Sequence, residues 1–413
     1  MEFQIDIFND NFDFMKELYQ QKVNEINKQE EDFRTNLRFK LHPNWKIARR
    51  LKRQWITFAG IFFLNLTMYE YIDEKTQKKK RITYYHNEKL RELSTSKYDK
   101  DIIKFCIKNS LENIPNPCYL KKYLPSKQLL NLYMKKWKIQ KQIEEKNREL
   151  ISEKSNNFSK LNEDIFLEID DLFIKHKQNF KLEKMRVREV ILHTKNCFQN
   201  RNILCMFFTK NINEKTNENN DLNYVINKVK EQLENINLRD NNIIINGDGA
   251  RWMYTISDSL NAIFNLDYFH IKKQINNTFS FNKFATKMNK KYFKNWLSSK
   301  YKLPWNYLFA EAIDIRNFNY FYDIFENLND EIPNKNLPHE IKKNIKTFWK
   351  YIISNAKSIF DNPTIKNSSY TEHFVYHTFK RHIKKPHARF GFKTIKMKII
   401  YKNVQNGLGT IIF

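Results

Sequence analysis

NNIIINGDGA, residues 241–250, decides the architecture. Three consecutive isoleucines read as a strand buried in a sheet, and Gly-Asp-Gly ends that strand just where a helix can start, near Ala250. The flanking sequence extends the sheet in both directions. Upstream, IFLEIDDLFIKH (165–176) and KMRVREVILHT (184–194) alternate as strands do, NILCMFF (202–208) is a short apolar run, and a helical pattern covers about Leu222 to Leu238. Downstream, NAIFNLDYFHI (261–271) reads as one more strand. Three meandering strands, a helix, a strand, a helix and a strand predict a mixed five-stranded sheet in an α/β core.

Six segments follow along the chain. Residues 1–100 are expected to be a helical and β-hairpin region. The first part, to about Arg53, looks helical and ends in the basic cluster Lys46, Arg49, Arg50, Lys52 and Arg53. A hairpin follows, from Thr57 to Ile72 and on through RITYY (81–85), turned at EKTQKKK (74–80). Residues 101–161 are helical. Within them Pro125 ends one short helix and Ser126 can cap a second, which carries Leu129, Leu132, Tyr133 and Trp137 on one face and Lys127, Gln128, Asn131, Lys135 and Lys138 on the other. That pattern suits a helix-turn-helix with a basic recognition helix, and equally an ordinary helical hairpin with a wet lysine face. Residues 162–271 form the first part of the core, 272–360 an all-helical insertion rich in Lys, Phe and Trp, 361–392 a last amphipathic core helix, and 393–413 a weakly patterned tail.

Composition narrows the partner. The 413 residues hold 73 Lys and Arg against 46 Asp and Glu, a net charge of +27. Such an excess calls for a polyanion, and double-stranded DNA is the expected partner ahead of a membrane surface. Abundant Lys, Asn, Ile, Phe and Tyr also follow from A/T-rich codons, which weakens the inference from charge alone. Cys106, Cys118, Cys197 and Cys205 form no C-x-x-C pair, so neither a disulfide framework nor a zinc module is expected. The start has no signal-peptide pattern, and the longest apolar stretch, about Ile56 to Met68, is too short to span a bilayer; a cytoplasmic protein is expected.

Three acids stand out. Asp170 lies inside an apolar strand, where a bare carboxylate costs several kcal/mol unless it is solvated, paired or bound to metal. Asp248 ends the buried run between two glycines, at the carboxyl end of a strand, where α/β sheets bind ligands. Glu372 lies in the first turn of the last amphipathic helix. Taken singly, a strand-end Asp is usually a turn residue and a first-turn Glu usually complements the helix dipole. Together they form a set of oxygen ligands suited to Mg²⁺.

INGDGA (245–250), with Trp252 and then LDYFHI (266–271), resembles the heart of the ISLre-type insertion-sequence transposases, a group related to the Mutator-like DDE transposases. The resemblance places the second catalytic Asp at Asp248, a D-x-x-H at Asp267 and His270, the first Asp at Asp170 within LEID, and the last acid at Glu372 within TEHFV. It runs from about Gln54 through Gly391. Asp171 stands where the family more often has Gly, His373 stands where a Gly follows the Glu, and the tail from Lys393 departs from the family pattern.

The resemblance implies a ribonuclease H-like core with an all-α insertion, and a metal-dependent transposase whose Asp170, Asp248 and Glu372 hold Mg²⁺ or Mn²⁺, two ions in all, with His270 beside them. It also implies terminal inverted repeats and target DNA as partners, and at least a dimer in the DNA complex. The expected DNA contacts are Lys127, Gln128, Asn131, Lys135, Arg49, Arg50 and Arg53. Two rival expectations stand beside it: a catalytically inactive remnant that still binds DNA, motivated by the tail, and a ribonuclease H-like nuclease that cuts without joining.

Overall fold

The structure is a computed structural model and describes residues 6–116, 123–161, 163–178, 181–212, 218–236, 243–283, 285–361, 370–383 and 390–413. The chain divides into two compact units, Met1–Lys141 and Gln142–Phe413. Cys118 lies outside the described residues, as does most of the short helix expected before Pro125.

In the first unit a long helix, Asp6–Asp32, continues through a π-helical turn, Phe33–Leu37, to Arg38–Leu41. The expected helix to Arg53 stops there, ahead of Pro43. The basic cluster lies instead on a strand, β1 (Lys46–Thr57), which pairs along its length with the β-branched and aromatic strand β2 (Gly60–Ile72). Thr57 faces Gly60 across the turn, and Gly60 has φ +124°, which only glycine adopts readily. Strand β3 (Lys79–Tyr84) closes the predicted hairpin on β2, and Asp73 orders its turn by accepting from the Lys75 and Thr76 amides.

Tyr19, Val23 and Ile26 of the long helix bury Trp55, Phe62, Leu64 and Leu66. Arg53 donates to the carbonyls of Leu93 and Ser94, so it serves this unit's own packing rather than standing free for DNA; Arg49 and Arg50 are exposed. Helices Lys100–Glu112 and Lys127–Lys136 follow. Ser126 caps the second as expected, accepting from the Leu129 amide, and Lys127, Gln128, Asn131 and Lys135 are exposed. Leu132, assigned above to its apolar face, is exposed, and Tyr133 is the residue that faces inward.

The second unit is mixed α/β around a six-stranded mixed sheet. Its strands are β4 (Ile165–Gln178), β5 (Lys181–Thr194), β6 (Ile203–Asn211), β7 (Ile243–Gly247), β8 (Ile263–Leu266) and β9 (Gly409–Ile412), in the order β8-β7-β4-β5-β6-β9. The first three form the expected antiparallel meander, and β7 and β8 add parallel strands beside β4.

Two expectations change. The strand read over 261–271 ends at Leu266, because the Asp267 side chain accepts from the Phe269 amide and caps the helix Tyr268–Phe279. The weakly patterned tail is structured: a helix, Phe392–Gln405, leads into β9, a sixth strand parallel to β6. Asn147, buried on the helix Ile139–Phe158, donates to the Thr410 carbonyl at 2.7 Å and accepts from the Thr410 amide at 2.9 Å, satisfying the β9 backbone on its outer side.

Both faces of the sheet are covered. Ile165, Leu167, Ile169, Val190, Leu192 and Ile245 pack with the helix Glu218–Asn235 and the helical insertion. That insertion includes the helices Trp305–Asp314, Phe318–Glu331 and His339–Ser354, as its pattern predicts. Leu172, Val187, Ile191, Cys205 and Phe207 pack with Phe374, Val375, Phe379, Ile395 and Ile399 on the other face. Among the described residues no helix is long and apolar enough to cross a membrane.

Replacing Asn147 strands both polar backbone groups of Thr410 in a buried setting. Asn147→Ala should cost about 2–4 kcal/mol of stability, read as a lower urea midpoint at unchanged m-value. A loss below about 0.5 kcal/mol would show that this bracket does not hold β9.

Candidate acidic site

Strands β4 and β7 run parallel in a register that pairs Ile165 with Ile243 and Glu168 with Asn246. The same offset leads from Asp170 to Asp248, just past the end of β7. Asp170 is partly buried, and its carboxyl is pushed up to about 6, first by burial and then by the negative charge of Asp248; the Asp171 amide, Lys380 and His270 pull the other way. Burial without enough compensating charge is the state a cation-binding carboxylate adopts before its cation arrives.

Asp248 is fixed by its neighbours. One carboxylate oxygen accepts from the Ala250 amide at 3.0 Å, and its own carbonyl accepts from the Tyr351 hydroxyl at 3.2 Å. The flanking glycines give the loop room. A Cβ on Gly247 would lie 2.5 Å from the Met253 sulfur, and one on Gly249, at φ +87°, would lie 2.6 Å from Asn355 Oδ1 and 2.8 Å from Leu266. Tyr351 and Asn355 belong to the end of the insertion, which therefore walls the Asp248 loop.

His270 lies on the first turn of its helix, with Nδ1 2.9 Å from Asp267 Oδ2. Burial lowers its pKa, but Asp267, Asp248 and Asp170 outweigh that and raise it. The acids around His270 thus favour its protonated form.

Asp171, next to Asp170, turns to the other face of β4. It forms an ion pair with Arg188 at 3.4 Å, and Arg188 stacks over the Trp252 ring at 4.5 Å. Trp252 thus packs against the Asp171–Arg188 ion pair. Glu372 is partly exposed on the short helix Thr371–Phe374, and its nearest counter-charge is Lys380, at 3.9 Å. Among the described residues no three His, Cys, Asp or Glu side chains stand close enough to share a metal ion. The structure therefore relates Asp170, Asp248 and His270 electrostatically, while Glu372 is tied to Lys380, the cation that also acts on Asp170.

The donor chemistry fits a hard divalent cation in part. Asp170 and Asp248 supply oxygen ligands, whereas Glu372 would have to part from Lys380 to join them.

Sequence reasoning missed three residues here. Glu168, two positions before Asp170, is buried and accepts from His193 Nε2 at 3.1 Å, Asn246 Nδ2 at 2.7 Å, the Tyr370 amide at 3.0 Å and the Thr371 hydroxyl. Burial lowers the pKa of His193, but hydrogen bonds with Cys197 and Glu168 raise it to about 9, so the ring is a cation at neutral pH. Glu189, paired with Asp170 across β4 and β5, is fully buried and pushed up to about 8; it shares a hydrogen bond with the Thr378 hydroxyl. Lys380 is the third. Period-two alternation would have put Glu168, Asp170 and Leu172 on one face of β4, and that was the available signal.

The raised pKa of Asp170 carries a stability cost. Ionisation disfavours the folded state progressively between about pH 4 and 6 and fully above that. Asp170→Asn should therefore raise stability by about 1–3 kcal/mol at pH 7.5, with no gain below pH 4, measured by urea unfolding at both pH values. An equal effect at both would contradict the burial argument.

Residues 118–296, less than half of the chain, match an uncharacterised protein family, UPF0236. The match takes in Asp170, Asp248 and His270 and ends before Glu372. No curated protein matches the chain.

Proposed function

We propose that the chain is a DDE transposase with a ribonuclease H-like core, cutting and rejoining DNA at the ends of an insertion sequence. The observation that carries this is the parallel register of β4 and β7, which sets Asp248, just past the end of β7, level with the under-compensated Asp170 inside β4. The strand order, a meander followed by two parallel strands on its first strand, supports a ribonuclease H-like reading. The match to UPF0236, a family often associated with insertion-sequence elements, supports the biological setting.

Asp170 and Asp248 would hold the metal, Mg²⁺ or Mn²⁺, with Glu372 joining once Lys380 turns to the DNA phosphate. When bound, the metal supplies positive charge that activates the attacking oxygen and stabilises the leaving one. His270, whose protonated form Asp267 and the two aspartates favour, would meet a phosphate oxygen. In the first unit the exposed Lys127, Gln128, Asn131 and Lys135, with Arg49 and Arg50, would bind the element ends, mostly through phosphates. A second reading, a DNA-binding remnant without catalysis, is favoured by the Glu372–Lys380 pair.

The test is nicking and strand transfer on a duplex carrying the DNA that flanks the coding sequence. Wild-type protein should nick it with Mg²⁺ or Mn²⁺, and Asp248→Asn should lower the rate by at least about 100-fold while leaving DNA affinity within about 2-fold. Affinity should fall steeply with salt. Salt-sensitive binding without nicking in either metal would favour the remnant, and nicking without joined products would favour a simple nuclease.

A further inference from the structure

The same three segments that carry the acids meet at one buried carboxylate. Glu168 lies two residues before Asp170 on β4. Its partner Asn246 lies two residues before Asp248 on β7, and its partners Tyr370 and Thr371 immediately precede Glu372. The network reaches further, because Asn265 of β8 donates to Asn246 Oδ1 at 2.7 Å and His193 of β5 joins Glu168 from the other side. Four donors from three chain segments thus converge on the two oxygens of one buried side chain.

Packing alone does not ask for this. A leucine would fill the space without the cost of desolvating a carboxylate, whereas a carboxylate with its donors fixed gives each attached segment one allowed position. Short charge-assisted hydrogen bonds are directional, so the distances they set propagate over the one or two residues that separate each donor from its acid.

We infer that Glu168 is a positioning residue that sets the mutual placement of the strand bearing Asp170, the loop bearing Asp248 and the helix start bearing Glu372. The inference rests on the proposal above for what the acids do, but not for how they are held.

The experiment compares full-length wild type, Glu168→Gln and Thr371→Val by amide hydrogen exchange and by direct Mn²⁺ binding, with DNA nicking as a third readout. Glutamine keeps the volume but turns an amide donor toward donors. In Glu168→Gln, exchange across residues 370–376 should rise by about ten-fold, the size expected from losing a charged hydrogen bond, while amides of β4 and β5 keep their protection. Mn²⁺ affinity should fall by a similar factor.

A folded Glu168→Gln with wild-type exchange and wild-type Mn²⁺ affinity would overturn the inference. So would a uniform rise across the sheet, which would mean that Glu168 only stabilises the fold. Should Glu168→Gln fail to fold, Thr371→Val decides: a rise of about 3-fold confined to 370–376 supports positioning, and no change overturns it. Wild type that binds no Mn²⁺ and nicks no DNA would sink the proposed function. The exchange comparison would then decide the inference by itself, in the same two directions.

Discussion

Strand β4 must bury both of its faces while carrying acids on one of them. Ile165, Leu167 and Ile169 face the insertion side, and Glu168, Asp170 and Leu172 face the helices near the C-terminal end. Everything else in the second unit adjusts to that arrangement. The parallel register of β7 follows from the apolar face, and it brings Asn246 to Glu168 on the polar one. The antiparallel register of β5 sets Glu189 opposite Asp170 and brings His193 to Glu168.

Burial is met in three different ways on this one face. Glu168 is surrounded by donors from three segments. Glu189 keeps its proton at neutral pH and so carries no charge to desolvate. Asp170 has neither solution in full: its carboxyl accepts from the Asp171 amide, and the nearest charges of opposite sign, on Lys380 and His270, do not cancel the cost of burial. A site that leaves one carboxylate under-compensated among well-compensated neighbours is specialised at that residue, as expected when local rules are broken for function.

Much of this was legible in the sequence. The apolar run before Gly-Asp-Gly pointed to β7, alternation to β4 and β5, a short apolar run to β6, and the insertion showed as a long helical pattern. The acids could be picked out because each broke a local pattern. Long-range geometry was not legible. Asp267 reads equally as the end of a strand or as a helix cap, and only the folded chain shows the cap. The basic run around Arg49 looked helical because Lys and Arg are good helix formers, but pairing with β2 overrode that propensity. The residues after Lys393 lack a strong period because their strand is four residues long and packs on a single neighbour, β6. Glu168 looked like one more strand residue, since nothing local announces donors more than 200 positions away.

The bracing of the Asp248 loop by Tyr351 and Asn355 bears on how such a chain can change over evolutionary time. Insertions between core elements are commonly the parts that lineages shorten, swap or lose. Here the far end of the insertion is built into the wall of an acid-bearing loop, and Gly249 leaves no room for another support to grow from the loop itself. Shortening the insertion and keeping that aspartate in place are therefore coupled changes. A trimmed descendant would need a new brace in the same step, which makes this insertion an inherited part of the core rather than an exchangeable module.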